Sequence, residues 1–367
     1  MALILTFLGK GEADRSAIAA AAAHRCASDG KRVLFLSQDV GPSVDILLGA
    51  ELSDQPQSIA PNLSVMHLQT AKLLEKSWDE LKRQEAQYLK TPFFKEVYGQ
   101  ELGVLPGMDQ ALALNALRDY DASGDYDVIV YDGDGQLNTL RMFGMPEILS
   151  WYLRRFRGVF ANSDLGRTLS PFIQPVASAV LNVDWSGDIF SSQPANQANN
   201  MLDQGTAAVT NPQRVAAYLV TTNAPGAIAT AKYLWGAAQQ VGLTVGGVVL
   251  SQAYDAGVVG DTFSPLSVTA VSSQSNTSLT DLAVMLPSFN DASTAPAPMT
   301  VDLQARQVKL FLPGFTKQQV KLTQYGPEVT IEAGDQRRNV VLPSTLQGKP
   351  VAGAKFQDGY LIITFGN

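Results

Sequence analysis

The sequence predicts an α/β protein, with a doubly wound, mostly parallel sheet and helical insertions, followed by a small C-terminal all-β sandwich. Three observations lead to this fold class. Apolar runs that suit buried strands alternate with helical patterns over the first two-thirds of the 367 residues. Runs such as 128–130 contain no polar alternation, which is typical of strands covered on both faces. Beyond a segment rich in Pro, Ser, Ala and Thr at 287–300, the pattern changes to short strands and turns.

The elements follow from the N-terminus in this order. The first strand is predicted at 3–8, and an alanine-rich helix follows at about 16–28. The later strands of the large sheet are predicted at 32–37, 127–132, 216–222, 245–251 and 266–271. Helical insertions are predicted at about 70–120 and 142–205. We expect one domain at 1–286, a linker at 287–300 and the β-sandwich at 301–367, with strands at 308–312, 320–322, 328–331, 338–342 and 360–365.

The composition argues against several classes of function. With 27 Lys and Arg against 34 Asp and Glu, the net charge is −7, which does not suit a nonspecific nucleic-acid binder. One cysteine, Cys26, permits no intrachain disulfide and no cysteine-rich metal site, and two histidines, His24 and His67, do not suit a multi-histidine zinc centre. No run approaches the roughly 20 apolar residues that cross a bilayer. We therefore expect a cytoplasmic protein that is not an integral membrane protein.

A strand, the segment 9–16 and a helix give the context of a phosphate-binding loop. Such a loop requires Gly, four residues, Gly, Lys, and then Ser or Thr. Gly9 and Ser16 fit this spacing, but Asp14 stands in the place of the second glycine and Arg15 in the place of the lysine. The sequence therefore predicts a phosphate loop with two altered positions.

Three loops at the predicted carboxyl ends of strands, taken together, resemble the family of arsenical-pump ATPases and tail-anchored-protein targeting ATPases. The segment 9–16 resembles the phosphate loop of that family. The segment 39–43, Asp-Val-Gly-Pro-Ser, resembles its first switch. The segment 132–141 resembles its second switch and keeps the Asp and the Thr-Leu-Arg end. Similarities at 105–109 and 221–225 add to a resemblance that implies a P-loop NTPase-like fold.

The resemblance also implies roles for single residues. Asp39 would position the attacking water in an active enzyme, and Lys10 would reach across a homodimer to the nucleotide of the partner. Ser16 and Asp132 would hold Mg²⁺. The residues implied in nucleotide binding are Gly9, Lys10, Gly11, Arg15, Ser16 and Asp132. Asp132 with Asp134 also has the form of a catalytic carboxylate pair, although Asp-Gly-Asp-Gly is more typical of a turn.

The acidic substitution favours a degenerate nucleotide site. A carboxylate about 5 Å from a phosphate charge repels it by roughly 3 kcal/mol at an effective dielectric constant near 20. Asp14 can instead cap the following helix, Glu12 can lie near its positive end, and Arg15 can pair with one of them. The alternative is retained ATP binding with slow or no turnover. We therefore expect no certain cofactor, and at most weak binding of Mg·ATP.

The segment 142–172 lies, by resemblance, where family members build a hydrophobic groove for client helices. Methionine-rich surfaces suit varied apolar partners because thioethers adapt their shape. The candidate client-binding residues are Met142, Phe143, Met145, Ile148 and Trp151. The alternative is that these side chains form the ordinary core of a helical subdomain.

The C-terminal segment carries a second resemblance. Residues 312–315, 326–331 and 353–361 resemble the α-crystallin-like domain of small heat-shock proteins. One branch of the same ATPase family carries such a domain at its C-terminus. The combined resemblance covers nearly the whole chain.

Three functions remain open on these grounds. The first is a targeting-ATPase-like homodimer with a degenerate nucleotide site that binds hydrophobic transmembrane-helix clients or a partner protein. The second is an active ATPase that drives a membrane-protein targeting or chaperone cycle. The third is a non-catalytic scaffold for protein partners. Asp14 and Arg15 bear on the choice between the first two.

Overall fold

The computed structural model describes residues 1–10, 12–39, 41–76, 79, 107–161, 192–272, 277–326 and 328–366. Much of each predicted helical insertion lies outside the described residues, as do Gly11 and the side chains of Glu12 and Asp14. Among the helices within these ranges, none is both long enough and apolar enough to cross a membrane.

The first part of the chain forms an eight-stranded sheet in the order β3-β4-β2-β5-β1-β6-β7-β8. All neighbouring strands run parallel except β3 and β4, which are antiparallel. Its strands are β1 (Leu3–Leu8), β2 (Val33–Ser37), β3 (Gln57–Ala60), β4 (Leu63–His67), β5 (Val128–Asp132), β6 (Val215–Thr221), β7 (Val245–Ser251) and β8 (Val268–Val271). The helices are α1 (Glu12–Ser28), α2 (Pro42–Leu48), α3 (Met108–Ser123), α4 (Leu137–Ala161), α5 (Ser192–Thr210), α6 (Pro225–Gln240), α7 (Gly257–Phe263) and α8 (Leu279–Met285).

Apolar cores cover both faces of this sheet, which confirms the predicted fold class. All residues of β2, β5 and β6 are buried, and β1 is buried beyond its first residue. On one face the alanines of α1, Ala19–Ala23, pack beside Phe7 and Phe35. Small side chains let this helix approach the sheet closely. On the other face lie side chains of α3, α4 and α6, among them Trp235.

The strand order brings three strand ends together. β5 lies between β1 and β2, and its last residue, Asp132, pairs in register with Ser37 at the end of β2. Parallel strands end at the same edge of a sheet, where doubly wound folds bind their ligands. The loops that follow β1, β2 and β5 therefore meet at one edge.

The C-terminal module consists of two antiparallel sheets around one shared core, as predicted. Their orders are β14-β15-β10-β9 and β11-β12-β13. The strands are β9 (Met299–Asp302), β10 (Gln307–Phe311), β11 (Val320–Tyr325), β12 (Glu328–Ala333), β13 (Gln336–Val340), β14 (Val351–Gln357) and β15 (Tyr360–Phe365).

This module packs firmly against the first part of the chain. The ring of Phe311 meets the indole of Trp235 on α6 edge-on, with 5.4 Å between centroids. Within the segment expected as a linker, Phe289 is buried against the rings of Phe7 and Tyr218, with centroids 5.7 and 4.7 Å away. This segment is therefore not the freely exposed connection that its composition suggests, because an aromatic side chain anchors it in the core.

Candidate functional site

The loop after β1 is held against its neighbours by a glycine. The N–H of Gly9 donates to the carbonyl oxygen of Gly135, 3.0 Å away, in the loop after β5. A Cβ on Gly9 would overlap the carbonyl oxygen of Val220 on β6. The close approach of three backbones requires glycine at this position. The first residue of the predicted phosphate loop thus lies where the resemblance placed it, at the edge shared by β1, β5 and β6.

The central feature of the site is a buried ion pair between Arg15 and Asp132. Nη1 of Arg15 donates to Oδ1 of Asp132, and the two side chains are 4% and 0% exposed. This pairing differs from the expectation that Arg15 pairs with Glu12 or Asp14. The helix α1 begins at Glu12, so Asp14 lies inside its first turn and not at the capping position.

Burial shapes the charges of this pair. Loss of solvent raises the pKa of the Asp132 carboxyl, while the charge of Arg15 and the hydroxyl of Ser16 lower it. Among the described residues, Nε of Arg15 and Oδ2 of Asp132 have no hydrogen-bond partner. Each group is therefore neutralised mainly by the other. Removing either one leaves an uncompensated buried charge.

The loop after β5 closes over Arg15. Gly135 has φ +66°, and a Cβ there would lie 2.5 Å from Nε of Arg15. The carboxylate of Asp134 accepts hydrogen bonds from the N–H groups of Gln136 and Thr139, at 2.9 and 3.0 Å, and from the Thr139 hydroxyl at 2.7 Å. Asp134 thus organises the start of α4. It does not form a catalytic pair with Asp132, which agrees with the turn interpretation.

Asp39 lies in a turn that leads from β2 into α2. Its Oδ1 accepts a hydrogen bond from the N–H of Gly41 at 2.8 Å, and the hydroxyl of Ser43 lies 3.5 Å from Oδ2. The residue is exposed, and its charge contributes to the raised pKa of Asp132. Asp39 and Asp132 therefore belong to the same edge of the sheet, as the resemblance implies.

The other residues predicted to bind nucleotide differ in their exposure to solvent. Ser16 is buried, whereas Lys10 is exposed directly after β1. The side chain of Asp132 is fully buried and paired, so its carboxylate is not open to Mg²⁺, and the positive charge of Arg15 is already neutralised. In this arrangement Arg15 and Asp132 are therefore engaged with each other and do not face a ligand site.

A neighbouring histidine was missed as part of this edge. Nε2 of His67, the last residue of β4, lies 2.9 Å from Oδ1 of Asp45 on α2, and the ring is buried. His67 pairs in register with Ser37 at the end of β2. This contact holds α2, and with it the turn at Asp39, against the sheet. No spacing in the sequence signals the contact, because it joins a strand end to a separate helix.

The candidate client-binding residues fall into two groups. Met142 and Phe143 are 0% and 2% exposed and belong to the core beneath the sheet. Met145 and Trp151 are half-buried, and Ile148 is 39% exposed. The physical reason is the helical period, which turns Met142 and Phe143 inward and Ile148 outward on α4. This corrects the expectation for Met142 and Phe143, which form core, as the alternative interpretation had it.

The outward face of α4 meets the C-terminal module of the same chain. Nε1 of Trp151 donates to Oε2 of Glu328 at 3.0 Å, and Nε of Arg338 lies 3.2 Å from the carboxylate of Glu147. Ile148 and Trp151 line a pocket together with Arg338. The surface that the resemblance assigns to clients is thus partly covered from within. In the sequence, the one indication that this face of α4 is covered is the presence of polar residues such as Glu147 within apolar runs.

Comparisons with known proteins agree with the motifs. The family described as Anion-transporting ATPase matches residues 2–263, and the HSP20-like domain found in ArsA matches residues 304–365. A protein of Prosthecochloris vibrioformis carries the name "Putative arsenical pump-driving ATPase". It is 25% identical to this chain over an alignment of 390 residues, gaps included, which covers 99% of this chain and 95% of the relative. An ATPase ASNA1 homolog of Entamoeba histolytica is 29% identical over 126 residues, covering 32% of this chain and 38% of the relative.

Proposed function

Since this chain belongs to the anion-transporting ATPase family and carries an HSP20-like C-terminal domain, we propose that it is a targeting-ATPase-like protein with a degenerate nucleotide site. In this proposal it works by binding hydrophobic client helices or a partner protein in the cytoplasm, and hydrolysis of ATP is weak or absent. The observation that supports the degenerate nucleotide site is the buried ion pair of Arg15 with Asp132.

The ion pair removes two groups that a nucleotide would need. Arg15 stands in the place of the loop lysine, and Asp132 is the acid that the resemblance puts near Mg²⁺. A bound nucleotide would have to separate them. Breaking a buried ion pair by removing one partner costs about 3–5 kcal/mol. A nucleotide that had to supply this amount would lose roughly two to four orders of magnitude in affinity.

The first turn of α1 adds a second obstacle. A helix N-terminus attracts anions because its N–H groups and dipole point outward. Here Glu12 and Asp14 both belong to that first turn. Acidic residues in a first turn disfavour an incoming anion, because they add negative charge to the end of the helix that would otherwise attract it. Arg15 is turned inward to Asp132 and so does not offset them.

The partner-binding half of the proposal rests on the resemblance of the three loops and on α4. Ile148 is exposed, and Met145 and Trp151 are half-buried along the same helix beside the C-terminal module. An apolar helix is the partner whose chemistry suits these side chains. A homodimer is supported by Lys10, which is exposed at the edge of the sheet where it can reach a second copy.

The second candidate is an active ATPase that drives a targeting or chaperone cycle. It is favoured by the convergence of Gly9, Ser16, Asp39 and Asp132 at one edge of the sheet. For this candidate the ion pair would open when Mg·ATP arrives. The two candidates differ in the affinity of the resting protein for nucleotide.

Calorimetric titration of the full chain with Mg·ATP separates them. We expect weak binding or none for the unaltered protein. The variant Glu12→Gly, Asp14→Gly, Arg15→Lys should bind at least tenfold more tightly, and each tenfold is about 1.4 kcal/mol. Arg32→Lys is the matched control, because Arg32 pairs with Asp127 on the surface far from the loop. Micromolar binding by the unaltered protein would overturn the degenerate site and favour the active ATPase.

The partner half needs its own measurement. A fluorescent single transmembrane-helix peptide, presented in water with the full chain, should form a complex that Ile148→Asp weakens at least tenfold. Glu51→Lys, a charge change on an exposed residue away from α4, serves as the control. Absence of any complex with the unaltered chain would favour the scaffold function instead.

A further inference from the structure

The helix α4 connects the ion-paired site to the C-terminal module. Its first turn follows directly on the loop that covers Arg15, and its outer face carries contacts to the hairpin formed by β12 and β13. We propose that α4 couples the two, so that the hairpin docks when Arg15 is paired with Asp132 and releases when that pair opens. This proposal goes beyond the proposed function, because it holds whichever ligand opens the pair.

The site end of α4 senses the position of Arg15. Gly135 lies against the Arg15 side chain, with no room for even a Cβ between them. Its N–H donates to the hydroxyl of Thr139 at 3.1 Å, and Thr139 in turn donates to Asp134. Arg15 therefore lies in direct contact with the loop, and in the proposed coupling its departure displaces the loop. The loop cannot move without breaking the hydrogen bonds that start α4.

The first contact with the hairpin lies just one turn into the helix. Nη2 of Arg141 lies 2.6 Å from Oδ2 of Asp335, in the turn between β12 and β13. The N–H of Asp335 donates to the hydroxyl of Tyr233 on α6 at 3.2 Å. A Cβ on Gly334 would lie 2.8 Å from that same hydroxyl oxygen. The hairpin turn is thus wedged between α4 and α6.

A second set of contacts lies further along the helix. Arg338 of β13 is 6% exposed and pairs with Glu147 at 3.2 Å. Trp151 donates to Glu328 of β12. These contacts follow Pro146, which interrupts the helical hydrogen bonds, so Arg141 is the contact in direct rigid connection with the loop. From Leu137 to Arg141 the helix advances only about 6 Å.

The ion-paired site and the hairpin are coupled because the contacts between them are either made or broken. Packed interfaces do not deform continuously, so a small shift at one end is transmitted as an exchange between two arrangements. Opening of the Arg15–Asp132 pair would displace the first turn of α4 and pull Arg141 from Asp335. Release of the hairpin would uncover Ile148 and Trp151, which line the pocket against β13. By reciprocity, loosening the hairpin must also loosen the loop at Gly135.

Amide hydrogen exchange on the full chain tests the forward direction. Arg15→Met should speed exchange of the amides of Gln336–Val340 at least tenfold relative to those of Tyr360–Phe365, which belong to the other sheet of the module. Comparing the two strands removes any general loss of stability, because that would speed both. Arg32→Met, the control at the exposed Arg32–Asp127 pair, should leave the ratio unchanged. An unchanged ratio in Arg15→Met counts against the proposal.

The reverse direction uses a surface residue whose loss does not threaten folding. Asp335 is exposed, and Asp335→Asn removes the negative charge that Arg141 meets. We expect exchange of the Gly135 and Gln136 amides to rise at least threefold. Lys321→Gln, an exposed change on β11 of the same module, is the control and should leave these amides unaffected. If Arg15→Met leaves the exchange ratio unchanged and Asp335→Asn leaves the Gly135 and Gln136 amides unchanged, α4 only supports the two sites mechanically and the proposal is overturned.

Discussion

The side chain of Arg15 lies directly on the backbone of Gly135, in the space that a side chain at that position would need. A Cβ there would lie 2.5 Å from Nε of Arg15 and 2.9 Å from the carbonyl oxygen of Phe7. Gly135 also has a positive φ, +66°. Two separate demands, backbone conformation and close approach, therefore meet at one residue.

The first prediction separates these demands. Gly135→Ala should destabilise the fold by about 2 kcal/mol more than Gly124→Ala, because overpacking costs about 1–3 kcal/mol on top of backbone strain. Gly124 is a matched control, since its φ is +73° and a Cβ there would meet nothing within 4 Å. Urea unfolding measures both. Equal losses would mean that Arg15 does not occupy the space above Gly135.

The second prediction concerns the buried ion pair. Arg15→Met should lower the free energy of unfolding by about 3–5 kcal/mol, because Asp132 is left buried without a countercharge. The double variant Arg15→Met, Asp132→Leu should recover most of that loss, since no charge remains to be compensated. A denaturant series on the unaltered chain, the two single variants Arg15→Met and Asp132→Leu, and the double variant forms the test. Additive losses in the double variant would show that the two side chains do not interact.

The third prediction concerns the corrected client residues. Met142→Ala should cost about 2–5 kcal/mol, the range for large-to-small changes in a core. Ile148→Ala on the same helix should cost much less, because Ile148 is 39% exposed. Thermal unfolding of the two variants compares them under the same conditions. A small effect for Met142→Ala would restore Met142 as a surface residue.

The fourth prediction concerns the reactivity of the single cysteine. Burial raises the pKa of the Cys26 thiol to about 11, with the charge of Asp29 adding to the effect. At pH 8 only about one thiol in a thousand is then ionised, compared with roughly a quarter in the unfolded chain. We expect a disulfide reagent to modify the native protein at least a hundredfold more slowly than the protein in guanidinium chloride. Comparable rates would mean that Cys26 is accessible.

Much of the sheet follows from the sequence because its strands are continuous apolar runs. The predicted bounds of β1, β7 and β15 agree with the structure to the residue. The strand β3 was missed because Gln57–Ala60 is short and half polar and lies at the sheet edge. The strand β4 was missed although four of its five residues are buried, because the run Leu63–His67 is short and contains polar residues. β14 was missed for a related reason: most of its residues are exposed, so it carries no apolar pattern.

The location of the candidate site in the sheet was predictable from the sequence, but the contacts between its side chains were not. Spacing brought Gly9, Ser16, Asp39 and Asp132 to one edge of the sheet, because parallel strands end together. The pairing of Arg15 with Asp132 could not be predicted, because the two residues are 117 positions apart in the sequence. Local reasoning favours near neighbours such as Asp14. The burial that makes the distant pairing stable comes only with the complete fold.

One glycine on α6 bears on how the C-terminal module docks against the first part of the chain. Gly236 lies on α6, and a Cβ there would fall 2.7 Å from the ring of Phe315 and would overlap the carbonyl oxygen of Pro313. Pro313 and Phe315 belong to the C-terminal module, whereas Gly236 belongs to the first part of the chain. The docked position of the module therefore depends on a residue outside it. A substitution at this glycine would act on the docking of the module, although the residue lies in another part of the chain.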